Sequence, residues 1–201
     1  TKVERVFLPS PWYVVHDTLM MKAHRWKKDQ AYSKQHHDEV FRMFVCDFKD
    51  AFFKLPLLNI ERRYYVIKYR NRWYVCCRLA QGSINGPSCF GRLSSLVGRM
   101  SQSLFDTTEL RIQVYTDDPH ITVKGSKERR DLLMAAAITS WIMVGLDVAF
   151  HKARRGKAVE WIGSLITVVD GGVHLEVKPQ LWQEVRDTVE TWLHSNVVSV
   201  R

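Results

Sequence analysis

Three carboxylates stand where acidic side chains are costly. Asp47 closes FRMFVCD (41–47), a run of large apolar residues. Asp117 and Asp118, followed by Pro119, separate the alternating segments RIQVYT (111–116) and HITV (120–123). A carboxylate beside a buried strand is unfavourable unless it is paired or coordinates a metal, and adjacent carboxylates repel one another. A hard divalent cation relieves both problems. If the strand ending at Asp47 neighbours the 112–123 hairpin, three carboxylates converge. Such a cluster can hold two Mg²⁺ ions roughly 3.5–4 Å apart, the arrangement that serves in-line phosphoryl transfer. The residues alone leave a plain turn open as well, because Asp-Asp-Pro is ordinary turn chemistry.

Basic residues supply the second signal. ERRYYVIKYRNRWY (61–74) interleaves Arg62, Arg63, Lys68, Arg70 and Arg72 with Tyr and Trp. That mix tracks a phosphate backbone and stacks on bases or sugars. On a two-stranded ribbon the basic residues could line a groove, or an amphipathic hairpin could simply face its arginines outward. HKARRGK (151–157) is a basic loop, either solvated or facing phosphate. His36-His37 before Asp38-Glu39 reads as a solvated polar loop, since vicinal ligands point apart.

The elements that must position these groups follow from period and punctuation. FRMFVCD suits a strand buried on both faces. YYVIKY (64–69) and RWYVCCR (72–78) form a hairpin about Arg70-Asn71, and AQGSINGPS (80–88) is a loop. Pro87 opens a helix with Phe90, Leu93, Val97, Met100 and Leu104 inward. Ser126 caps a second helix with Leu133, Ala137, Trp141 and Val144 inward, and Gly145 stops it. VEWIGSLITVV (159–169) and VHLEV (173–177) pair across Asp170-Gly171-Gly172. Pro179 opens a final helix with Leu181, Val185, Val189 and Trp192 inward. The first forty residues show no clean period. Hairpins and helices are segregated rather than alternating, which is an α+β pattern.

Composition narrows the class of partner. The chain has 201 residues, with 30 Lys and Arg against 21 Asp and Glu, a formal net charge of +9. Each Lys or Arg set against a phosphate releases counterions, so a polyanionic partner is favoured. No apolar run is long enough to span a bilayer, so no membrane role is expected. Cys46, Cys76, Cys77 and Cys89 form no CxxC pair and read as reduced thiols of an intracellular protein. Cys46 and Cys89 are expected to behave as small hydrophobes, and Cys76-Cys77 to point to opposite faces of a strand. The opening at Thr1 suggests a part of a longer polypeptide.

Five stretches carry a further signal by their order. FVCDFKDAFFKLPL (44–57), RLAQGSINGPSCF (78–90), VYTDDPHITVKG (114–125), GLDVAFHKA (145–153) and EWIGSLI (160–166) resemble, one after another, the blocks of the palm of reverse transcriptases. The likeness is to the retroviral and retrotransposon kind and covers about residues 41–170. It implies an α+β right-hand polymerase palm, an antiparallel or mixed sheet backed by helices, with partial fingers and the start of a thumb. The expected division is fingers at 1–40 and 58–78, palm at 41–57 and 79–170, and palm end with possible thumb start at 171–201.

The resemblance also implies roles. Asp47, Asp117 and Asp118, with the backbone carbonyl of Phe48, would hold Mg²⁺ or Mn²⁺. Asp50 and Ala51 would line the triphosphate, and Gln81 and Gly82 would approach the template nucleotide and the incoming sugar. Phe52 would be the steric gate that excludes a 2′-hydroxyl, although a core role remains open beside Phe53 and Leu55. Lys152, with Lys157 as fallback, would protonate pyrophosphate. Trp161, Ile162 and Gly163 would be the primer grip. Lys22, Arg25, Lys27 and Lys28 are the only upstream candidates for triphosphate contacts.

The implied function is RNA-directed DNA synthesis on an RNA/DNA template-primer from dNTPs. The parent polyprotein is expected to carry RNase H or integrase. The alternatives are an inactive palm-like nucleic-acid scaffold and an RNA-dependent RNA polymerase, against which Phe52 argues.

Overall fold

The segment FRMFV, β1 (Phe41–Val45), is apolar except for Arg42 and occupies an interior place in a four-stranded antiparallel sheet. Its neighbours are β5 (Asp118–Lys124) on one side and the short β6 (Arg154–Gly156) on the other, and β4 (Leu110–Tyr115) lies beyond β5. Both faces of the sheet are covered, as the apolar run requires. The computed structural model describes residues 8–28 and 41–194, with side chains at 8–23 and 41–194. His36, His37, Asp38 and Glu39 lie outside the described residues, as do the side chains of Arg25, Lys27 and Lys28.

One face of the sheet packs under α2 (Gly86–Gln102) and α3 (Lys127–Met143), around Phe44, Phe90, Val97, Leu110, Ile112, Ile121, Leu133 and Trp141. The other face buries Phe41, Met43 and Val45 against α1 (Pro11–Lys28) and a three-stranded antiparallel sheet. That sheet runs β7 (Ala158–Trp161), β8 (Ser164–Val169), β9 (Gly172–Val177). The pair β2 (Val66–Tyr69) and β3 (Arg72–Val75) stands apart as a ribbon. No helix among the described residues is long and apolar enough to cross a membrane.

Several expectations are met by local chemistry. Pro87 lies in the first turn of α2, and the Ser126 hydroxyl accepts from Arg129 N at the start of α3. Arg70 and Asn71, at φ 44° and 60°, form the β2–β3 turn. Gly145 takes φ 86° just past α3.

Other expectations fail for identifiable reasons. Met100 and Leu104 are exposed, whereas Gly86, Gly91, Ser94, Gly98 and Ser101 are the buried positions of α2 beside Phe90 and Val97. The helix lies too close to β4 for large side chains: a Cβ on Gly98 would sit 2.8 Å from Val114 Cγ2. Val144 is likewise exposed at the end of α3. The stretch 159–169 is not one strand, because Ile162 and Gly163, at φ 47° and 71°, turn β7 back into β8. Helix α4 (Pro179–His194) exposes Leu181, Val185, Val189 and Trp192, so the face expected inward is uncovered.

Cys46 is buried, but Cys89 is exposed, and β3 ends before Cys76-Cys77. Helix α1, absent from the periodicity reading, had a signal in Ser10-Pro11 and in Val14, Thr18 and Met21 at spacings of four and three. Thr18 counts as polar in a pattern, yet it is buried because its hydroxyl donates to Val14 O at 2.7 Å.

Candidate functional site

Two antiparallel ladders bring the carboxylates together. Val45 pairs with His120, and Tyr115 pairs with Asp118 across the two-residue turn Thr116-Asp117. Asp118 therefore belongs to β5 rather than to the turn, and only Asp117 sits at the tip. Beyond β1 the backbone stays bound to the hairpin: Cys46 N donates to Pro119 O at 3.3 Å and Phe48 N donates to Asp117 O at 2.8 Å. On the other side Ala149 N donates to Asp47 O at 2.9 Å and Lys49 N to Asp147 O at 2.7 Å. Asp47 is thus held on both flanks. The Phe48 ring anchors it from below, edge-on to Trp141 with centroids 5.4 Å apart.

Strained backbone gathers here. Asp50, Thr116 and Ile162 all adopt positive φ, at 52°, 52° and 47°. Two of them are β-branched, for which this region is a genuine outlier, and such strain concentrates at functional sites.

The carboxylates interact strongly. Asp47 and Asp118 share a hydrogen bond, while Asp117 acts on Asp118 through its charge. Burial, then the bond to Asp47 and the two neighbouring charges, push Asp118 up to about 7. Burial also raises Asp47, but hydrogen bonds from Lys152 and Asp118 outweigh it and hold that carboxyl below its usual range. Lys152 Nζ lies 2.5 Å from Asp47 Oδ2, which raises the ammonium. The site thus draws in a proton and an ammonium to offset its negative charge. Hard oxygen donors with surplus charge suit Mg²⁺ or Mn²⁺. Among the described residues no three acidic, His or Cys side chains are gathered closely enough to hold a metal ion by themselves.

Asp47, Asp118 and Lys152 open onto a cleft of about 490 Å³, shared with His151, Arg154, Glu160, Trp161, Ile162, Gly163 and Lys178. Trp161 Nε1 donates to Asp118 O at 3.0 Å, and its ring lies 5.3 Å from that of His120. His120 is fully buried, and burial pushes its imidazole down to about 3, so it stays neutral under this hydrogen bond. Cys46 also lines the cleft, but burial first and the charges of Asp47 and Asp118 next push its thiol up to about 12, which leaves it unreactive.

The remaining sequence-derived residues divide. Asp50 is exposed and Ala51 buried at the start of a short 3₁₀ turn, Ala51–Lys54. Phe52 is half-buried: its ring lies 5.8 Å from Phe90, and a Cβ on Gly86 would come within 3.3 Å of it. Gln81 and Gly82 are exposed, and Gly82 is required by its φ of 87° rather than by crowding, since a Cβ there meets nothing within 4 Å. Lys157 lies between β6 and β7, its carbonyl accepting from Val168 N. Lys22 is engaged on the β8–β9 turn, at the carbonyls of Val169, Asp170 and Gly172.

The ribbon does not gather its basic residues into one groove. Lys68 is opposite Trp73 and Arg72 opposite Tyr69, and strand alternation puts these two pairs on opposite faces. Lys68 stacks over Trp73, Arg70 over Tyr69 and Arg63 over Tyr64, while Arg62 Nε donates to Leu57 O. All eight strand residues of the ribbon are exposed. Sequence reasoning missed Glu160 and Lys178 as cleft residues, because only the folding of β9 against the β7–β8 turn brings Lys178 there.

Residues 13–166 match the family model described as reverse transcriptase (RNA-dependent DNA polymerase). No curated protein matches the sequence. The fold is similar to that of the foamy viral protease-reverse transcriptase solved with an RNA/DNA hybrid: TM-score 0.58 and 17% identity, over 80% of this chain and 19% of that one. The same viral protein with dsDNA gives TM-score 0.55 and 19% identity over 80% of this chain and 29% of that one. The native protein of prototype foamy virus gives TM-score 0.51 and 20% identity over 67% of this chain and 18% of that one. The chain therefore spans less than a third of the solved polypeptides it matches.

Proposed function

Because the chain belongs to the reverse transcriptase family, we propose that it forms the polymerase centre of an RNA-directed DNA polymerase. It would extend a primer 3′-hydroxyl with dNTPs on a nucleic-acid template. The observation that carries this reading is the junction of Asp47 with Asp118, beside Asp117, at the mouth of one cleft.

Asp47, Asp117 and Asp118, with the Phe48 carbonyl, would hold Mg²⁺ or Mn²⁺. The ions would lower the pKa of the primer hydroxyl and stabilise the leaving pyrophosphate. Lys152 Nζ stays protonated beside Asp47 and is the proton donor to the departing oxygen. Asp50 and Ala51 line the triphosphate, and the Phe52 ring closes the space under the sugar. Gln81 and Gly82 present an open, exposed turn to the template nucleotide. Trp161, Ile162 and Gly163 hold the primer end, with the half-buried Arg62 and the exposed Arg63, Lys68, Arg70 and Arg72 meeting phosphates farther out.

Residues 41–57 and 79–170 form the palm, 1–40 and 58–78 partial fingers, and 171–201 the palm end and thumb start. The uncovered apolar face of α4 supports a following thumb. The foamy viral protein with RNA/DNA hybrid or dsDNA supports a template-primer partner, and its joined protease supports a longer polypeptide here.

A template-primer extension assay with Mg²⁺ tests the reading. Asp117→Asn should abolish nucleotide addition while leaving the fold and most nucleic-acid binding intact, because affinity comes from Lys and Arg elsewhere. Synthesis near the unaltered rate in that variant would overturn the metal assignment. Binding without any extension by the unaltered protein would identify an inactive scaffold, and equal use of rNTPs an RNA polymerase.

A further inference from the structure

One edge of the four-stranded sheet is closed over part of its length by a single side chain. Strand β4 has β5 on one side only. On the other side Gln102 Nε2 donates to Leu110 O at 3.0 Å, and Ile112 N donates to Gln102 Oε1 at 2.8 Å. The Gln102 amide thus stands where a neighbouring strand would place a peptide group. In an antiparallel pair the N–H and C=O of one residue point the same way, and successive residues point to alternate sides. Ile112 O and both backbone groups of Val114 therefore face outward too. Strand β5 cannot serve Val114, whose opposite residue is Pro119: that residue has no N–H, and its carbonyl accepts from Cys46 N. Among the described residues these three backbone groups have no hydrogen-bond partner.

Ile112 and Val114 line a cleft of about 370 Å³ between α1 and α2, which shares no residue with the cleft holding Asp47 and Asp118. Arg99 is one turn before Gln102 on the same side of α2. It stands level with Val114, since a Cβ on neighbouring Gly98 would sit 2.8 Å from Val114 Cγ2. Among the described residues no carboxylate pairs with Arg99. Asp17, the acidic residue of the lining, is held by Gln113 Nε2 at 2.6 Å and lies 3.8 Å from Arg111. Two guanidiniums against one carboxylate leave a local charge of +1. Arg111 and Gln113 face α1, whereas Ile112 and Val114 pack toward α2. A strand laid along this edge alternates its side chains likewise, between Pro9 and Tyr13 on one wall and Ser95 and Arg99 on the other.

We propose that the β4 edge takes an extended peptide segment of a partner protein, apolar residues alternating with a carboxylate, as a short added strand. Its backbone pairs with Val114 and with the Ile112 carbonyl, the usual chemistry of strand addition at an open edge. Its carboxylate meets Arg99, and its apolar residues lie on Pro9 and Tyr13. Gln102 ends the site because it already fills the next ladder position.

The probe is a fluorescein-labelled pentapeptide of alternating Val and Glu, read by anisotropy and by amide hydrogen exchange on the whole chain. With peptide at about ten times its Kd, exchange at the Val114 N–H should slow about tenfold. The Gln113 N–H, already in the β4–β5 ladder, should not change. Arg99→Gln should weaken binding about tenfold, the loss of one charge-assisted hydrogen bond, and a peptide with Lys for Glu should not bind. Two further peptides are N-methylated, one at the central Val and one at a Glu; only the one whose amide faces β4 should lose binding. Gln102→Ala frees Leu110 O and Ile112 N, so a peptide longer by two residues should gain affinity in that variant alone.

No binding, equal binding of the Glu and Lys peptides, or an equal effect of both methylations would overturn the added strand. So would self-association of the chain that protects Val114 without peptide, which would assign the edge to a second copy. Neither nucleic acid nor metal enters this experiment, so its result stands apart from that of the polymerase reading.

Discussion

The indole N–H of Trp161 donates to the backbone carbonyl of Asp118 at 3.0 Å, so the β7–β8 turn and the strand bearing a central carboxylate are joined by a single side-chain bond. The neutral His120 ring supports the indole from below, 5.3 Å away. Any movement of the turn is thereby felt at Asp118.

Trp161→Phe keeps the ring and removes the donor. The lost hydrogen bond should cost about 0.5–1.5 kcal/mol of stability. Primer extension should fall more steeply, by roughly tenfold or more, because small misplacements at a reacting centre are amplified. Thermal unfolding and single-turnover extension together check this; equal, small losses in both would reduce Trp161 to a packing residue.

Asp118 makes the site pH-dependent. Its carboxyl releases a proton near 3.8 when unfolded and near 7 when folded. Between those values the folded state binds more protons, so without divalent ions stability should fall as pH rises from about 4 to 7. A bound divalent cation must displace that proton, so Mn²⁺ affinity should weaken by about tenfold per pH unit below about 7. Titrations at several pH values check both trends. Asp118→Asn should flatten them.

Phe52→Val separates gate from core. If the ring closes the space under the sugar, discrimination against rNTPs should fall by well over tenfold, a loss of more than about 1.4 kcal/mol of differential transition-state binding. Its contact with Phe90 and Gly86 means stability should also drop, by about 1–3 kcal/mol for a half-buried ring. The ratio of rNTP to dNTP efficiency decides the role, because packing loss alone lowers both efficiencies together.

Period, capping and turn chemistry were legible in the sequence because they depend on neighbours within a few residues. The run ending at Asp47, the Arg70-Asn71 turn, Pro87, the Ser126 cap and the Gly145 stop are all of this kind. The order of five motif blocks further identified an α+β palm, which the family match and the fold comparison bear out.

Tertiary structure decided the rest, because strand order and helix-to-sheet distance are not written in any local window. Only the β1–β5 ladder sets Asp47 against Asp118, 71 residues later (118 − 47), and only the fold places Lys152 on Asp47 and Trp161 on Asp118. Helix α2 buries Gly98 and Ser101 rather than Met100 because its distance from β4 leaves no room for a larger side chain. Arg72 and Lys68 part to opposite faces because pairing register assigns each residue its side. Glu160 and Lys178 meet since β9 returns to the turn between β7 and β8. Each contact depends on the whole chain having folded, and its physical origin is long-range register rather than local propensity.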